Sequence, residues 1–261
     1  MRAKWWAFLA AIPGVLLALR PAWAGAFERA LNGMSAVVDL THPLNGKIPT
    51  WPGDEPFKVE PVTDYTQGFL TNRFSASDHV GTHVDAPAHL FKGKATVDGI
   101  PPRHLIGVAI VLDIAKKAEA SPDYLLTIQD LTGWERRYGR VPKGAFVLIQ
   151  TGWGKRWGDP VRYLNLDDRG MMHFPAFSKE AAEFLLKKRD VKGIGTDTLS
   201  VDPGSSNDFP VHHLFLSSDR LIIEGLANLE KLPPKGAKLI VAPLSIEGGS
   251  GAPARVLAIL P

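Results

Sequence analysis

The chain has 261 residues, 45% of them hydrophobic, so it can bury a full core as one domain. It contains no cysteine, which excludes thiolate metal ligands, cysteine nucleophiles and disulfide bonds. The formal net charge of +3 comes from Arg2, Lys4 and Arg20, because residues 1–24 contain no acidic side chain. The rest of the chain is neutral overall, so charge gives no support for a nucleic-acid or anionic-lipid partner.

The first 24 residues have the layout of a secretory signal peptide. A basic start precedes an apolar run over 5–19, and the small-residue pattern Ala-Trp-Ala follows at 22–24. The apolar run is too short to cross a bilayer comfortably. We therefore predict cleavage after Ala24, a periplasmic or secreted location, and a working domain over 25–261 without membrane attachment. An uncleaved anchor or a buried N-terminal helix is the alternative.

Short runs rich in Val, Ile and Leu alternate with amphipathic segments along the rest of the chain. The predicted strands lie at 36–40, 57–62, 107–114, 145–150, 191–195, 220–224, 237–242 and 254–260. Two helices are predicted, over 128–138 and 179–188, with Thr127 and Ser178 as their N-caps and Gly139 ending the first. No internal repeat or low-complexity linker divides the sequence. The pattern therefore predicts a single α/β domain.

The segment 78–89 carries the residues best suited to chemistry, including three of the eight histidines. The spacing of His79 and His83 would suit one face of a helix, but the glycine, β-branched residues and proline around them disfavour a helix. On an extended backbone His83 and Asp85 point to the same side, and Gly81 allows the chain to turn so that His79 joins them. Two imidazoles and a carboxylate at one point suit Zn²⁺ or Mn²⁺.

A third histidine of this segment, His89, lies beyond Pro87. It is a candidate ligand for a second metal ion or a free imidazole that acts as general acid and base. The alternative for the whole cluster is a loop whose histidines only hydrogen-bond to the backbone. The carboxylate of Asp85 within the cluster favours a metal site over that alternative.

The pattern His-x3-His-x-Asp-x3-His over 79–89 resembles the signature of the metal-dependent cyclase family, which includes bacterial-type kynurenine formamidases and isatin hydrolases. Flanking blocks that also resemble this family lie at 39–43, 49–53, 195–198, 209–212 and 223–224. The resemblance implies a mixed β/β/α fold and commonly a homo-oligomer. It also implies a hydrolase that opens an amide or cyclic amide of a small aromatic substrate.

The resemblance implies a set of metal ligands, position by position. His79, His83 and Asp85 would bind a first metal ion. Asp85 and Glu224 would bridge to a second ion, and His212 would complete the second site. A carboxylate at position 224 favours two ions more than a neutral amide would, because it can neutralise and bridge two cations, but the full donor set suits either one or two ions of Zn²⁺ or Mn²⁺.

The same resemblance makes His89 the proton donor and acceptor and places Trp51 in the wall of the substrate pocket. If the segment is extended, His212 is preferred to His213, because adjacent residues then point to opposite sides; a helical or turned segment leaves the choice open. Metal-activated water would attack the carbonyl, and His89 would pass a proton to the leaving nitrogen. A lactonase or dehydratase-like enzyme at the same site, or an exported metal-binding protein without catalysis, is the alternative.

Several other residues are weaker candidates. The further aromatic candidates for the pocket are Trp153, Trp157, Phe174 and Phe177. Asp197, Ser200 and Asp202 are candidates for orienting metal ligands, although a simple turn at 202–204 is the favoured alternative for Asp202. The segment 248–251 resembles a phosphate loop in composition only, so we do not predict nucleotide binding.

Overall fold

The computed structural model describes residues 22–33 and 36–261, so residues 1–21 of the predicted signal peptide lie outside the described part of the chain. The strands are β1 (Val37–Asp39), β2 (Lys58–Thr63), β3 (Thr71–Ser75), β4 (His83–Asp85), β5 (Ile106–Asp113), β6 (Leu125–Leu126), β7 (Phe146–Gln150), β8 (Ala176–Phe177), β9 (Gly193–Thr196), β10 (Leu221–Glu224), β11 (Lys235–Pro243) and β12 (Gly251–Ile259). The α-helices are α1 (Ala22–Leu31), α2 (Ala115–Ala120), α3 (Ile128–Tyr138), α4 (Pro160–Leu164), α5 (Lys179–Phe184) and α6 (Pro210–Ser217). None of these helices is both long and apolar enough to cross a bilayer.

Seven strands close into a barrel-like ring in the order β12-β11-β5-β7-β9-β10-β4, and β4 pairs back to β12. The neighbours β5, β7, β9 and β10 run parallel, whereas the remaining pairs of the ring are antiparallel. Parallel neighbours need crossover connections, and α3, α5 and α6 lie in those connections. β1 extends the sheet beside β12. The predicted single α/β domain is therefore confirmed.

The parallel strands bury both of their faces, which explains why their sequences are continuous apolar runs. On β5, Ala109 and Val111 belong to a core that includes residues of β7, β11 and β12, so it fills the ring. Ile110 and Leu112 point the other way and pack with residues of α3, α5 and α6. The helices therefore cover the outer face of the ring.

The eight predicted strands are confirmed to within a few residues at their ends, but several short elements were not predicted. α3 begins and ends as predicted: the Thr127 hydroxyl accepts a hydrogen bond from the Asp130 amide at 3.2 Å, and Gly139 follows the last helical residue. α5 is shorter than predicted, although the chain continues as a π-helical turn over Leu185–Arg189. Among the elements not predicted, β4 and α6 supply residues of the site described below.

The hairpin of β2 and β3, residues 58–75, forms a separate two-stranded antiparallel sheet and is called the arm below. Phe57 precedes the arm and is buried, and its ring stacks on Phe74 with centroids 5.8 Å apart. Along the rest of the arm the side chains are largely exposed. The arm is thus attached at its base and projects into solvent.

Candidate active site

Two neighbouring strands supply the centre of the site. β4 carries His83 and Asp85, which point to the same side because successive strand residues alternate. Glu224 ends β10 directly opposite His83, so it faces the same way. Nε2 of His83 lies 3.3 Å from Oδ1 of Asp85 and 3.3 Å from Oε2 of Glu224. All three residues are buried, with 3%, 1% and 4% of their surface exposed.

Two further histidines reach the same point. Gly81 has a left-handed φ of 69°, and the turn there brings His79 back so that its Nδ1 lies 2.7 Å from Oδ1 of Asp85. His212 lies in the first turn of α6, and its Nε2 is 3.2 Å from Oδ2 of Asp85. The same nitrogen is 3.3 Å from Oε1 of Glu224. The structure thus brings together all five residues that the sequence placed in a metal site.

The segment that carries His212 is helical, which corrects the extended backbone assumed from the sequence. Pro210 starts the helix, where its missing N–H costs no hydrogen bond. Adjacent helical residues are still about 100° apart around the axis. His212 therefore enters the site, while the exposed His213 places its ring 5.7 Å from that of Phe91. The choice of His212 agrees with this placement, although the reason given for it was wrong.

Hydrogen-bond acceptors outside the cluster fix two of the imidazoles. Nδ1 of His83 donates to the carbonyl of Gly81 at 3.0 Å, and Nδ1 of His212 donates to Oδ2 of Asp202 at 2.7 Å. Because a carbonyl and a carboxylate only accept, both rings carry a proton on Nδ1 and direct Nε2 into the cluster, where it is the atom available to a metal ion. Asp202 also accepts hydrogen bonds from the backbone N–H groups of Val211 and His212 at the start of α6. Asp202 thus orients His212 and is more than a turn residue.

The cluster contains two possible ligand groups that share Asp85. Within each group the ligand atoms lie within 4.8 Å of one another: His79, His83 and Asp85 in one, and Asp85, His212 and Glu224 in the other. Oδ2 of Asp85 is buried and has no hydrogen-bond partner among the residues that the structure describes. Imidazole nitrogens and carboxylate oxygens that face each other at about 3 Å repel unless protons or a cation lie between them. The donor set therefore fits one or two divalent cations bound through nitrogen and oxygen.

The electrostatics of the site lead to the same conclusion. Burial lowers the pKa of His83, but hydrogen bonds to Asp85 and Glu224 and the charges of these carboxylates outweigh it and raise the pKa to about 10. Burial also opposes ionisation of His212, yet Glu224, Asp202 and Asp85 raise its pKa well above the ordinary value. Two buried carboxylates thus attract positive charge to this point. A bound metal ion would supply that charge in place of protons.

A cavity of about 490 Å³ opens directly onto the cluster. Its apolar wall is formed by Trp51, Leu90, Leu199 and Phe209, and the rings of Trp51 and Phe209 lie 5.9 Å apart at an angle of 56°. The floor consists of the histidines and carboxylates already described. An apolar wall with a few convergent polar groups is typical of a binding site for a small organic molecule.

His89 lies at the edge of this cavity, at the end of a 3₁₀ turn over Pro87–His89. Its ring centroid is 4.0 Å from that of His79 and 6.1 Å from that of His212. Burial lowers the pKa of His89, and the positive charges of His79 and His212 add to this effect, while the carboxylates of Asp85 and Glu224 oppose it. His89 is therefore neutral near pH 7 and can accept a proton.

The other aromatic candidates lie in the core instead of the cavity. Trp153, Phe174 and Phe177 are at most 1% exposed. Trp157 stacks on His42 with centroids 4.0 Å apart. Phe209, Leu90 and Leu199 were not predicted as pocket residues, because an apolar side chain carries no sequence signal that separates a cavity wall from the core.

The chain matches known families over most of its length. Residues 38–203 match the sequence profile of a family described as "Putative cyclase". The isatin hydrolase of Roseibium aggregatum is 35% identical over 263 residues, which cover 94% of this chain and 99% of that protein. The kynurenine formamidase of Geobacillus thermodenitrificans is 32% identical over 226 residues, which cover 85% of this chain and 96% of that protein.

Solved structures show the same relationship at the level of the fold. Isatin hydrolase A from Ralstonia solanacearum superposes with a TM-score of 0.86 and 37% identity, over 94% of this chain and 99% of that one. A structure described as a potential metal-dependent hydrolase with cyclase activity gives a TM-score of 0.66 and 26% identity, over 85% of this chain and 96% of that one. The ring of strands and its helices are thus shared with both.

Proposed function

This chain belongs to the cyclase family, and from that premise we propose that it opens the ring of a small aromatic cyclic amide with water. It is a metal-dependent hydrolase that acts on amide C–N bonds, as its relatives and structural neighbours are. Identity and mutual coverage are both higher for the isatin hydrolase than for the kynurenine formamidase. This difference favours a cyclic amide over an open-chain formamide.

The observation that carries the proposal is the position of the cavity. The rings of Trp51 and Phe209 form an apolar wall, and the cluster around Asp85 lies at the floor of the same cavity. A flat aromatic ring that packs against this wall can present its carbonyl group to the cluster. One cavity can thus bind the aromatic part of the substrate at its wall and place the reacting amide bond at the cluster.

His89 is proposed as the residue that moves the proton. The neutral imidazole of His89 accepts a proton from the attacking water. It then gives this proton to the amide nitrogen of the substrate as the C–N bond breaks. The water oxygen becomes part of a new carboxylic acid group, and the nitrogen leaves as a free amine. His89 lies beside the cluster and at the cavity edge, which is where both transfers would occur.

The proposed metal is Zn²⁺ or Mn²⁺, with one or two ions per chain. Imidazole and carboxylate ligands without thiolate suit either ion. His79, His83 and Asp85 would hold the first ion, and Asp85, Glu224 and His212 would hold the second. When bound, such an ion would supply Lewis acidity towards the carbonyl oxygen and the water.

A substrate panel tests the proposed reaction. Protein comprising residues 25–261 is loaded with Zn²⁺ or Mn²⁺ and assayed with isatin, N-formylkynurenine and an aromatic lactone, while mass spectrometry of the elements measures its metal content. We expect ring opening of isatin with a kcat/KM about tenfold or more above the other two substrates, which corresponds to about 1.4 kcal/mol of transition-state discrimination.

The alternatives have distinct outcomes in this assay. Preferential opening of the lactone would show that the enzyme is a lactonase and would contradict the proposed amide hydrolysis. Bound metal without turnover of any panel member would favour a non-catalytic binding protein, whereas absence of bound metal would remove the basis of the mechanism. The amide-hydrolysing relatives make both rival functions less favoured.

We also propose that the arm binds a second copy of the chain. Six large apolar side chains on it are between 49% and 78% exposed: Val59, Val62, Tyr65, Phe69, Leu70 and Phe74. A two-stranded hairpin is marginally stable on its own in water. These side chains offer on the order of 600 Å² of apolar surface per copy, close to the roughly 800 Å² per partner of a stable interface. A homo-oligomer that buries the arm would satisfy both observations.

A periplasmic or secreted location is proposed from the pattern of residues 1–24. N-terminal sequencing of the protein purified from an expressing bacterium would test it. A mature chain that begins at Gly25 in the periplasmic or culture fraction is the expected result. An uncleaved chain in the cytoplasm would contradict the proposal.

A further inference from the structure

His79 differs from the other two cluster histidines in what holds it. It directs Nδ1, not Nε2, to Asp85, and its Nε2 lies 2.9 Å from the hydroxyl of Ser250. The same hydroxyl lies 2.8 Å from Oδ2 of Asp78. Ser250 and His79 are 171 residues apart in sequence and meet because β4 pairs with β12, where Gly251 lies opposite Asp85. The pairing of β4 with β12, which closes the barrel-like sheet, thus brings Ser250 and His79 into contact.

The direction of each hydrogen bond follows from the chemistry of the three groups. The carboxylate of Asp78 only accepts, so the single hydroxyl proton of Ser250 goes to Asp78. The Ser250 oxygen then has only lone pairs for His79 and must accept from its Nε2–H. With its Nε2 proton donated to Ser250, His79 directs Nδ1 to Oδ1 of Asp85 as the nitrogen available to a metal ion. This is the arrangement that a metal ligand needs.

Asp78 also fixes the backbone that carries the hydroxyl. Its Oδ2 accepts hydrogen bonds from the N–H groups of Ser250 at 3.1 Å and Gly251 at 3.3 Å. A Cβ atom at position 251 would lie 2.5 Å from Cε1 and 2.8 Å from Nε2 of His79, closer than such contacts allow. Gly251 therefore permits β12 to lie close to the imidazole ring of His79. The start of β12 thus packs directly against the side chain of His79.

We propose that Ser250 and Asp78 form a positioning pair that holds His79 with Nδ1 towards Asp85 and thereby sets the metal affinity of the group His79, His83 and Asp85. The inference rests on the metal-dependent function proposed above. Asp78 acts mainly through Ser250, since its own Oδ1 lies 3.7 Å from Nε2 of His79, and Ser250 acts through His79. Neither residue is proposed to touch the reacting atoms.

Metal binding to the metal-free protein tests the pair without any use of activity. Zn²⁺ and Mn²⁺ affinities are measured by competition with a chelator for wild type, Ser250→Ala and Ser250→Thr. We expect Ser250→Ala to weaken binding by about 10- to 100-fold, the usual effect of losing a partner of a metal-binding histidine. Ser250→Thr keeps the hydroxyl and is expected to stay within about threefold of wild type.

Ser178→Ala is the matched control, since it removes a hydroxyl that caps α5 by accepting from the Ala181 amide. It should lower the melting temperature without changing metal affinity. Ser250→Ala should instead change affinity whatever its effect on melting. The two serine variants together separate loss of positioning from general loss of stability.

A double-mutant cycle tests whether Asp78 works through Ser250. Asp78→Ala is expected to weaken metal binding, and adding Ser250→Ala should cause little further loss, because the two residues act in series. In Co²⁺-loaded wild type, NMR should show the exchangeable Nε2 proton of His79, and this signal should be lost in Ser250→Ala. Fully additive losses, or unchanged affinity in Ser250→Ala while wild type binds metal, would overturn the positioning pair and leave the proposed function intact. Wild type that binds no metal would overturn both.

Discussion

The cluster around Asp85 buries polar side chains, whereas the arm exposes apolar ones, so both regions depart from the usual distribution of side chains. The cluster buries two carboxylates and two imidazoles where a core is normally apolar: Asp85, Glu224, His83 and His212 are at most 6% exposed. The arm exposes Tyr65 and Phe69, at 78% and 59%, where a surface is normally polar. Buried polar groups and exposed large apolar patches are the informative departures from the common pattern.

The two regions differ in what would complete them. The cluster is held in place by strand pairing and by outer acceptors such as Asp202. The arm is a separate two-stranded sheet, an arrangement that is marginally stable on its own in water. A small cation satisfies the first region, whereas the second needs a large apolar surface. The same chain therefore combines a proposed interior site for an ion with a proposed exterior site for a second copy of the chain.

Replacing Asp85 by Ala should have the largest effect, because Asp85 is shared by both ligand groups. We expect loss of bound metal and turnover reduced to background, measured by elemental mass spectrometry and by amide hydrolysis. Glu119→Ala, which removes an exposed carboxylate of α2, is the control and should match wild type. Normal metal content in Asp85→Ala would mean that the cluster is not the metal site.

Replacing His89 by Gln should lower kcat by about 10²–10⁴, the usual effect of losing a general acid or base, while metal content stays unchanged. Burial lowers the pKa of His89 from its ordinary value near 6.5, so its neutral form persists below that pH. Wild-type activity should therefore fall only as pH drops through this lowered pKa, and the acidic limb should disappear in the variant. Loss of metal in His89→Gln would instead make His89 a ligand.

The fold was largely predictable where a strand is long and apolar on both faces. The runs at 107–114 and 145–150 became β5 and β7, because their Val, Ile and Leu side chains fit burial on both sides of a parallel sheet. The helix α6, Pro210–Ser217, was not predicted, because an apolar segment of this length suits a strand or a buried helix equally. β4 escaped prediction since it has only three residues, two of them polar.

The site was predictable where its residues are adjacent in sequence. The pattern over 79–89 indicated His79, His83, Asp85 and His89, and the family resemblance added the more distant His212 and Glu224. Ser250 was not found, because its contact with His79 depends on the pairing of β4 with β12. The strand at 57–62 was predicted correctly, but apolar residues such as Val59 and Val62 carry no signal that they would be exposed. Both gaps concern long-range packing.

Introducing charge on the arm should break the exterior half of the comparison. The double variant Tyr65→Lys, Phe69→Lys should be mainly monomeric, with a dissociation constant at least about a hundredfold above that of the wild-type oligomer. Aromatic side chains at an interface often contribute about 2 kcal/mol or more each. Val161→Lys changes an apolar residue that is 82% exposed outside the arm and should leave the oligomer intact. Analytical ultracentrifugation measures both variants. A monomeric wild type at micromolar concentration would show that the arm does not bind a second copy.

Replacing Trp51 by Ala should have the smallest effect, because Trp51 belongs to the cavity wall and not to the cluster. An aromatic contact contributes about 0.5–1.5 kcal/mol, so KM should rise about 3- to 10-fold while kcat stays nearly constant. Trp51→Phe keeps an aromatic face opposite Phe209 and should recover most of the lost affinity. A fall in kcat with unchanged KM would mean that Trp51 acts mainly on the transition state, and the wall would then be part of the catalytic geometry of the cluster.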